Sequence, residues 1–315
     1  MSTLVQELDR YLSIRRSLGY DLSTSERVLR RFVAFALGRK AKYITTDLFL
    51  AWQAEFGEAN QRTWSARLGM VRQFALWLSG INPRNEVPPK ALIPGRYRRA
   101  RPYIYSEQEI VRIVEEAARL PSPNGIRALT FTTLFGLIAA TGLRVSEAIA
   151  LDNGDVDLEK GVLTVRRGKS NKARIVPLAQ SATDRLAAYT RERDRLLGHA
   201  SKPFFISDTG NRPDDCSARY NFASVCQRIG LRAPQKFHKH GRGPRIHDLR
   251  HTFAARTMVH WYRTGKDPER EMIKLSTYLG HTEPEHTYWY IEAVPELLEL
   301  ASNRATRALA EERGR

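Results

Sequence analysis

IHDLRHTFAAR, residues 246–256, is the stretch from which the rest of the chain can be read. With TMVHWYRTG behind it, it reads as one helix. His247 and Arg250 are three positions apart and therefore share a face of that helix. The face offers a proton-transfer group beside a guanidinium fork suited to phosphate. His–X–X–Arg is weak evidence alone. Such pairs are common on helix surfaces, where Arg250 does no more than close a salt bridge.

Outward from this helix the pattern is mixed. SEQEIVRIVEEAARL, NGIRALTFTTLFGLIAATG, SATDRLAAYTRERDRLLG, CSARYNFASVCQRIG, REMIKLSTYLG and PELLELASNRATRALAEE read as helices. GVLTVRRGKSNKARIVPL alternates in two arms around GKSNK and predicts a β-hairpin. PFFISD predicts a short strand, and RAPQKFHKHGRGPR a basic loop. Residues 104–315 thus predict a mainly helical domain with a small β component. Residues 1–82 carry only helical periodicity, with arginines on the polar faces. Ser23 or Ser25, Thr45 or Thr46, and Asn60 supply helix-start signals. Between the two lies INPRNEVPPKALIPGRYRRARPYIYS, residues 81–106, with five prolines. That density excludes a helix interior and predicts an extended linker over 83–103. Arg96, Arg98, Arg99 and Arg101 alternate there with Tyr97 and Tyr103, as a solvated charge run or a strap across a phosphate backbone.

Charge narrows the function classes. Lys and Arg number 51 against 34 Asp and Glu, a formal +17 that points to a polyanion, nucleic acid before membrane surface. Cys216 and Cys226 have no CxxC spacing and no His pattern, so a zinc site and a disulfide framework are both disfavoured, and buried free thiols are expected. No apolar run is long enough to span a membrane, and MSTLVQELDRYLSIRR lacks a signal-peptide core, so the expected location is the cytoplasm.

Three further stretches hold candidate chemistry. In TGLRVSEAIAL, residues 141–151, Arg144 follows a Gly turn and opens a short helix. The helix dipole disfavours a cation there unless an anion joins it, and Glu147 is placed to hold Arg144 at i, i+3. A surface ion pair explains the same residues. In the hairpin, Lys169 sits near the tip with Lys172 and Arg174 close by. A lysine on a hairpin can deliver a proton into a groove, although most turn lysines are simply solvated. In YLGHTEPEHTYWY, Gly280 ends a helix, His281 follows, and Tyr288 and Tyr290 come after an acidic turn.

Taken in order, TGLRVSEAIAL, GKSNKARIVPL, HDLRHTFA and LGH…Y resemble the tyrosine recombinase family, the integrases of the phage lambda and Xer type. The resemblance covers about 104–295, and the N-terminal helices match in type and position. It implies an N-terminal, SAM-like core-binding domain and an α+β catalytic domain that together form a C-shaped clamp on DNA. It implies Tyr290, nine residues after His281, as the nucleophile, with Tyr288 packing or facing DNA and Tyr278 inside a helix. It assigns phosphate contacts to Arg144, Arg250 and His281, the leaving-group acid to Lys169, and assistance at the tyrosine to His247. No matching role attaches to His251 or His286. Phosphodiester cleavage would run through a 3′-phosphotyrosyl bond without metal, ATP or other cofactor. Double-stranded DNA is the implied partner, in a homo- or hetero-tetrameric synapse held through the C-terminal helix. Backbone contacts are expected from Arg62, Arg67, Arg72, Arg96, Arg98, Arg99, Lys172, Arg174, Lys236, Lys239 and Arg242.

GKS stands where the family more often has GKG, and TMVHWYRTGKDPEREMIKLS is longer than in the Xer group. The second departure favours a recombinase of a mobile element, acting in integration or excision, over a housekeeping Xer protein. A type IB topoisomerase shares the chemistry but works as a monomer. A catalytically silent DNA-binding accessory is disfavoured because every matched catalytic position is filled. The acidic run DNGDVDLEK has Leu163 where a calcium loop needs glutamate, so Asp152, Asp155 and Asp157 read as turn formers.

Overall fold

The computed structural model describes residues 3–57, 59–94, 101–166, 173–199, 201–233, 243–280 and 285–313. The chain divides into two units, Met1–Ala100 and Arg101–Arg315.

In the first unit four helices follow one another: α1 (Leu4–Ser17), α2 (Ser23–Gly38), α3 (Thr46–Glu55) and α4 (Gln61–Ile81). Thr45 and Asn60 cap α3 and α4, their side chains accepting from Leu48 N and Thr63 N. The start of α2 differs from expectation: Leu22 is its cap, and the Asp21 carboxylate accepts from Ser23 N. The core is aromatic, with Phe32, Phe49, Trp52, Trp64 and Phe74 buried together. Part of the proline-rich stretch joins this core instead of running free. Asn85 accepts from Ile44 N at 3.0 Å, Glu86 N donates to Ile44 O at 2.8 Å, and Ile93 is buried.

The second unit runs α5 (Glu107–Ala117), α6 (Ile126–Thr141), α7 (Val145–Ala150), β1 (Val156–Asp157), β2 (Val162–Val165), β3 (Arg174–Pro177), α8 (Gln180–Leu197), α9 (Asp215–Arg228), α10 (Ile246–Arg263), α11 (Pro268–Leu279), α12 (Glu285–Ala293) and α13 (Pro295–Arg313). The apolar α6 is buried on most sides and packs against α5, α7, α8, α9 and α10. The strands form an antiparallel sheet in the order β1-β2-β3, with Val165 paired to Arg174 across the hairpin. Asp155 and Asp157 close the turns into it through Asp152 N and Lys160 N, as turn formers do.

PFFISD is not a strand. An isolated bridge joins Pro203 to Asp152, and Phe204, Phe205 and Ile206 are all buried as a wedge rather than paired in a ladder. Backbone and side chains share its hydrogen bonds: Phe204 N donates to Leu151 O, Arg193 donates to Phe204 O, and Ile206 N donates to the Tyr189 hydroxyl. The cysteines are both free, but only Cys226 is buried; Cys216 is exposed near the start of α9. A separate cluster of Ala254, Met258, Trp261, Met272, Leu275, Leu279, Tyr290, Val294 and Leu297 joins α10, α11, α12 and the start of α13. Arg263–Glu296 and Arg304–Asp267 ion pairs add to that docking, so α13 packs on its own domain. No described helix is long and apolar enough to cross a membrane.

Candidate active site

Two helices end at the same place. Gly142 caps α6 at φ +64°, and Gly280 caps α11 at φ +66°, a conformation that suits glycine. A Cβ on Gly142 would meet the Phe253 ring at 2.6 Å, and one on Gly280 would meet the Arg174 guanidinium at 2.9 Å. The last carbonyls of a helix lack partners within it and carry the negative end of its dipole. Here they receive arginines. Arg250 donates to Gly142 O at 2.8 Å and to Leu279 O at 2.7 Å. Arg144 donates to Gly280 O at 3.1 Å and reaches Leu279 O at 3.4 Å. Arg250 is 1% exposed. Burial first, then the charge of Arg144, pulls its pKa down to about 10, while Tyr290 and Glu147 act the other way. It remains a cation at neutral pH, and among the described residues its hydrogen bonds go to the Gly142 and Leu279 carbonyls rather than to a carboxylate. Its charge is therefore available to an anion.

One buried carboxylate organises the neighbouring guanidiniums. Glu147 receives Arg144 at 2.7 Å and, as a two-pronged pair, Arg174 at 3.1 and 2.7 Å. Its other partner is Arg144 N at 3.0 Å, the backbone half of the cap that starts α7. Burial alone would raise this carboxyl. The hydrogen bonds and charge of Arg174, followed by the bonds from Arg144, outweigh it and hold the pKa down at about 2. Arg174 also donates to Tyr278 O at 2.8 Å. Arg174, expected to meet the DNA backbone, is thus engaged within the protein. Its side chain lies 11% exposed against Glu147 and ties β3 to α11.

Helix α12 brings the tyrosines. Tyr290 lies 1% exposed, with its hydroxyl 2.7 Å from His251 Nδ1. Tyr288 is 44% exposed, on the outer side of the same helix. Tyr278 stacks on Phe253 at 5.6 Å, and burial pushes its pKa up to about 12. His247 is exposed on α10, its ring edge-on to His251 at 4.6 Å. His251 is the residue that sequence reasoning passed over. Its only signal there was its place directly after Arg250.

Of the remaining candidates, Arg62, Arg67 and Arg72 all lie on α4. Arg62 and Arg67 line a notch of about 490 Å³ in the first unit, where the Arg67 guanidinium lies 4.4 Å from the centre of the Phe56 ring and 4.5 Å from that of Trp64. Burial and the charge of Arg31 lower its pKa. Lys169, Lys172, His281, Lys236, Lys239, Arg242, Arg96, Arg98 and Arg99 lie outside the described residues.

Comparison with known proteins gives the family and the fold. Residues 104–296 match the model of the phage integrase family. The chain is 40% identical to the putative integrase/recombinase y4rB of Sinorhizobium fredii (strain NBRC 101917 / NGR234), over 98% of both proteins. It is 31% identical to the tyrosine recombinase XerD of Neisseria meningitidis serogroup B (strain ATCC BAA-335 / MC58), over 90% of this chain and 89% of that one. Among solved structures, the XerH site-specific recombinase bound to a palindromic difH substrate shares the fold. Its TM-score is 0.63 at 19% identity, over 89% of this chain and 78% of that one. The chain belongs to the phage integrase family and is a site-specific DNA recombinase of the tyrosine type.

Proposed function

We propose that Tyr290 is the nucleophile and that the protein cuts and rejoins DNA through a 3′-phosphotyrosyl bond. The phenolic oxygen forms a bond to phosphorus while the bond from phosphorus to the 5′ oxygen breaks. Arg144 and Arg250 neutralise the non-bridging oxygens, with His281 as a further donor. Lys169 protonates the departing 5′ oxygen. Attack by the 5′-hydroxyl of another strand reverses the step, so bond energy is kept in the covalent link. No step in this scheme calls for a metal or ATP. The observation that carries the reading is the convergence of two guanidiniums on the carbonyl end of α11, with the Tyr290 hydroxyl held by His251, the residue next to Arg250 on α10. Because that hydroxyl is covered, attack requires α12 to give way as DNA fills the site.

The biological setting we propose is integration or excision of a mobile element in the cytoplasm. The long stretch between Arg250 and His281 and the 40% identity to an integrase/recombinase support it. The working form is a tetrameric synapse on double-stranded DNA. The part of the 83–103 stretch that follows the buried Ile93 links the helical DNA-binding domain to the catalytic domain. For the C-terminal helix to join protomers, the outer part of α13, beyond the buried Leu297, must make the contact.

The test uses nicked duplexes tiled across the DNA that flanks the gene, incubated with the protein in EDTA and then denatured. A DNA-linked protein that disappears with Tyr290→Phe supports the reading. Binding without any adduct supports the silent accessory instead.

A further inference from the structure

The scheme above leaves open which group first takes the proton of the attacking tyrosine; the resemblance offers His247, which is exposed and stands one turn from His251. We propose that His251 takes it: Nδ1 of His251 accepts the Tyr290 hydroxyl proton as the phenolic oxygen bonds to phosphorus. This rests on the reading of Tyr290 as nucleophile.

The geometry points to His251 for three reasons. Its Nδ1 stands 2.7 Å from the Tyr290 oxygen, within the range a proton-transfer partner needs. Both groups are buried in the DNA-free protein, His251 at 5% exposure, so the pair is formed before DNA arrives and has to persist as α12 gives way. The ring is also held in place. It follows Arg250 directly on α10, and Trp289, Tyr290 and His247 pack on it with ring centres at 5.7, 5.4 and 4.6 Å. The helix that aims the phosphate fork thus aims the base.

The step balances. His251 begins neutral, with its proton on Nε2, and Nδ1 accepts the hydrogen bond. As the oxygen–phosphorus bond forms, the phenolic proton moves to Nδ1 and leaves an imidazolium. A separate proton, from Lys169 in the scheme above, goes to the 5′ oxygen. In rejoining, the imidazolium returns its proton to the departing phenolate. His247, to which the family resemblance gives a part on this side of the reaction, lies one turn earlier on the exposed end of the same face. That position lets it receive the charge of the imidazolium or a proton from it.

The test is run on a duplex that gives a wild-type adduct and loses it with Tyr290→Phe, so a failure of the nucleophile assignment shows first and separately. His251→Asn keeps an acceptor oxygen near the Nδ1 position but has no basicity. Expected is a fall in adduct formation of about 10²-fold or more, the usual scale of general base catalysis. A substrate with a sulfur in place of the bridging 5′ oxygen needs no leaving-group acid. It should restore Lys169→Ala and leave His251→Asn slow. A His251→Asn rate within about threefold of wild type, or rescue of that variant by the sulfur substrate, overturns the assignment. Should the variant fail to fold, wild-type protein labelled with ¹⁵N-histidine still decides. A His251 ring protonated on Nε2, with Nδ1 bare and shifting in Tyr290→Phe, supports the proposal. A neutral ring protonated on Nδ1 overturns it.

Discussion

Replacing Glu147 by Gln should cost the 101–315 unit about 3 kcal/mol at pH 7. The figure follows from the drop of this carboxyl from an ordinary 4.5 to about 2, each pH unit being about 1.4 kcal/mol. Solvent screening takes little from it, because Glu147 is buried and its partners Arg144 and Arg174 are largely so. Removing one partner of a buried pair commonly costs about 3–5 kcal/mol, which agrees. The sign in pH follows from the depression. The stabilisation is complete above pH 4.5 and is lost as pH falls toward 2, where the native carboxyl takes up its proton. The gap between wild type and Glu147→Gln should therefore narrow from pH 5 to pH 3. Urea unfolding measures it, provided the transition of this unit is followed separately, through Trp261 and Trp289, with the tryptophans of the first unit replaced. A loss under about 1 kcal/mol, or a gap that does not change with pH over that range, refutes the reasoning.

Other perturbations follow from the same geometry. Gly280→Ala should destabilise by about 1–2 kcal/mol, from the left-handed backbone and the crowding of Arg174, and its melting temperature would show it. Arg250→Lys should slow single-turnover adduct formation by about 10²-fold or more while DNA affinity changes little, since an ammonium cannot bridge Gly142 O and Leu279 O and still face a phosphate. DNA affinity should fall steeply with salt, and Arg67→Ala should reduce the slope of log affinity on log salt by about one if Arg67 meets a phosphate. Filter binding across a salt series reads both, and an unchanged slope removes Arg67 from the contact set.

The parts of the molecule that could be read from residues alone were those governed by local rules. Helical periodicity and the caps Thr45 and Asn60 marked α3 and α4, and the alternating arms of 161–178 marked the hairpin. PFFISD failed because a run of apolar residues reads the same for a strand as for a wedge buried on all sides. The first residues of the proline-rich stretch read as linker because Asn85 and Glu86 give no local sign that Ile44, 41 positions before Asn85, will bind them. The same limit applied to the site. Arg144, Glu147 and Arg250 stood out by spacing, and the i, i+3 pair formed. The pairing of Arg174 with Glu147, and the approach of His251 to Tyr290, join residues 27 and 39 positions apart. Only packing of α10, α11, α12 and the hairpin brings those groups together.

The most direct test of the central claim is the covalent adduct itself, formed in EDTA on a nicked duplex, with Tyr290→Phe and Tyr288→Phe compared. The account predicts an adduct in wild type and Tyr288→Phe, and none in Tyr290→Phe. An adduct that survives Tyr290→Phe and vanishes with Tyr288→Phe would contradict it, placing the chemistry on the exposed side of α12.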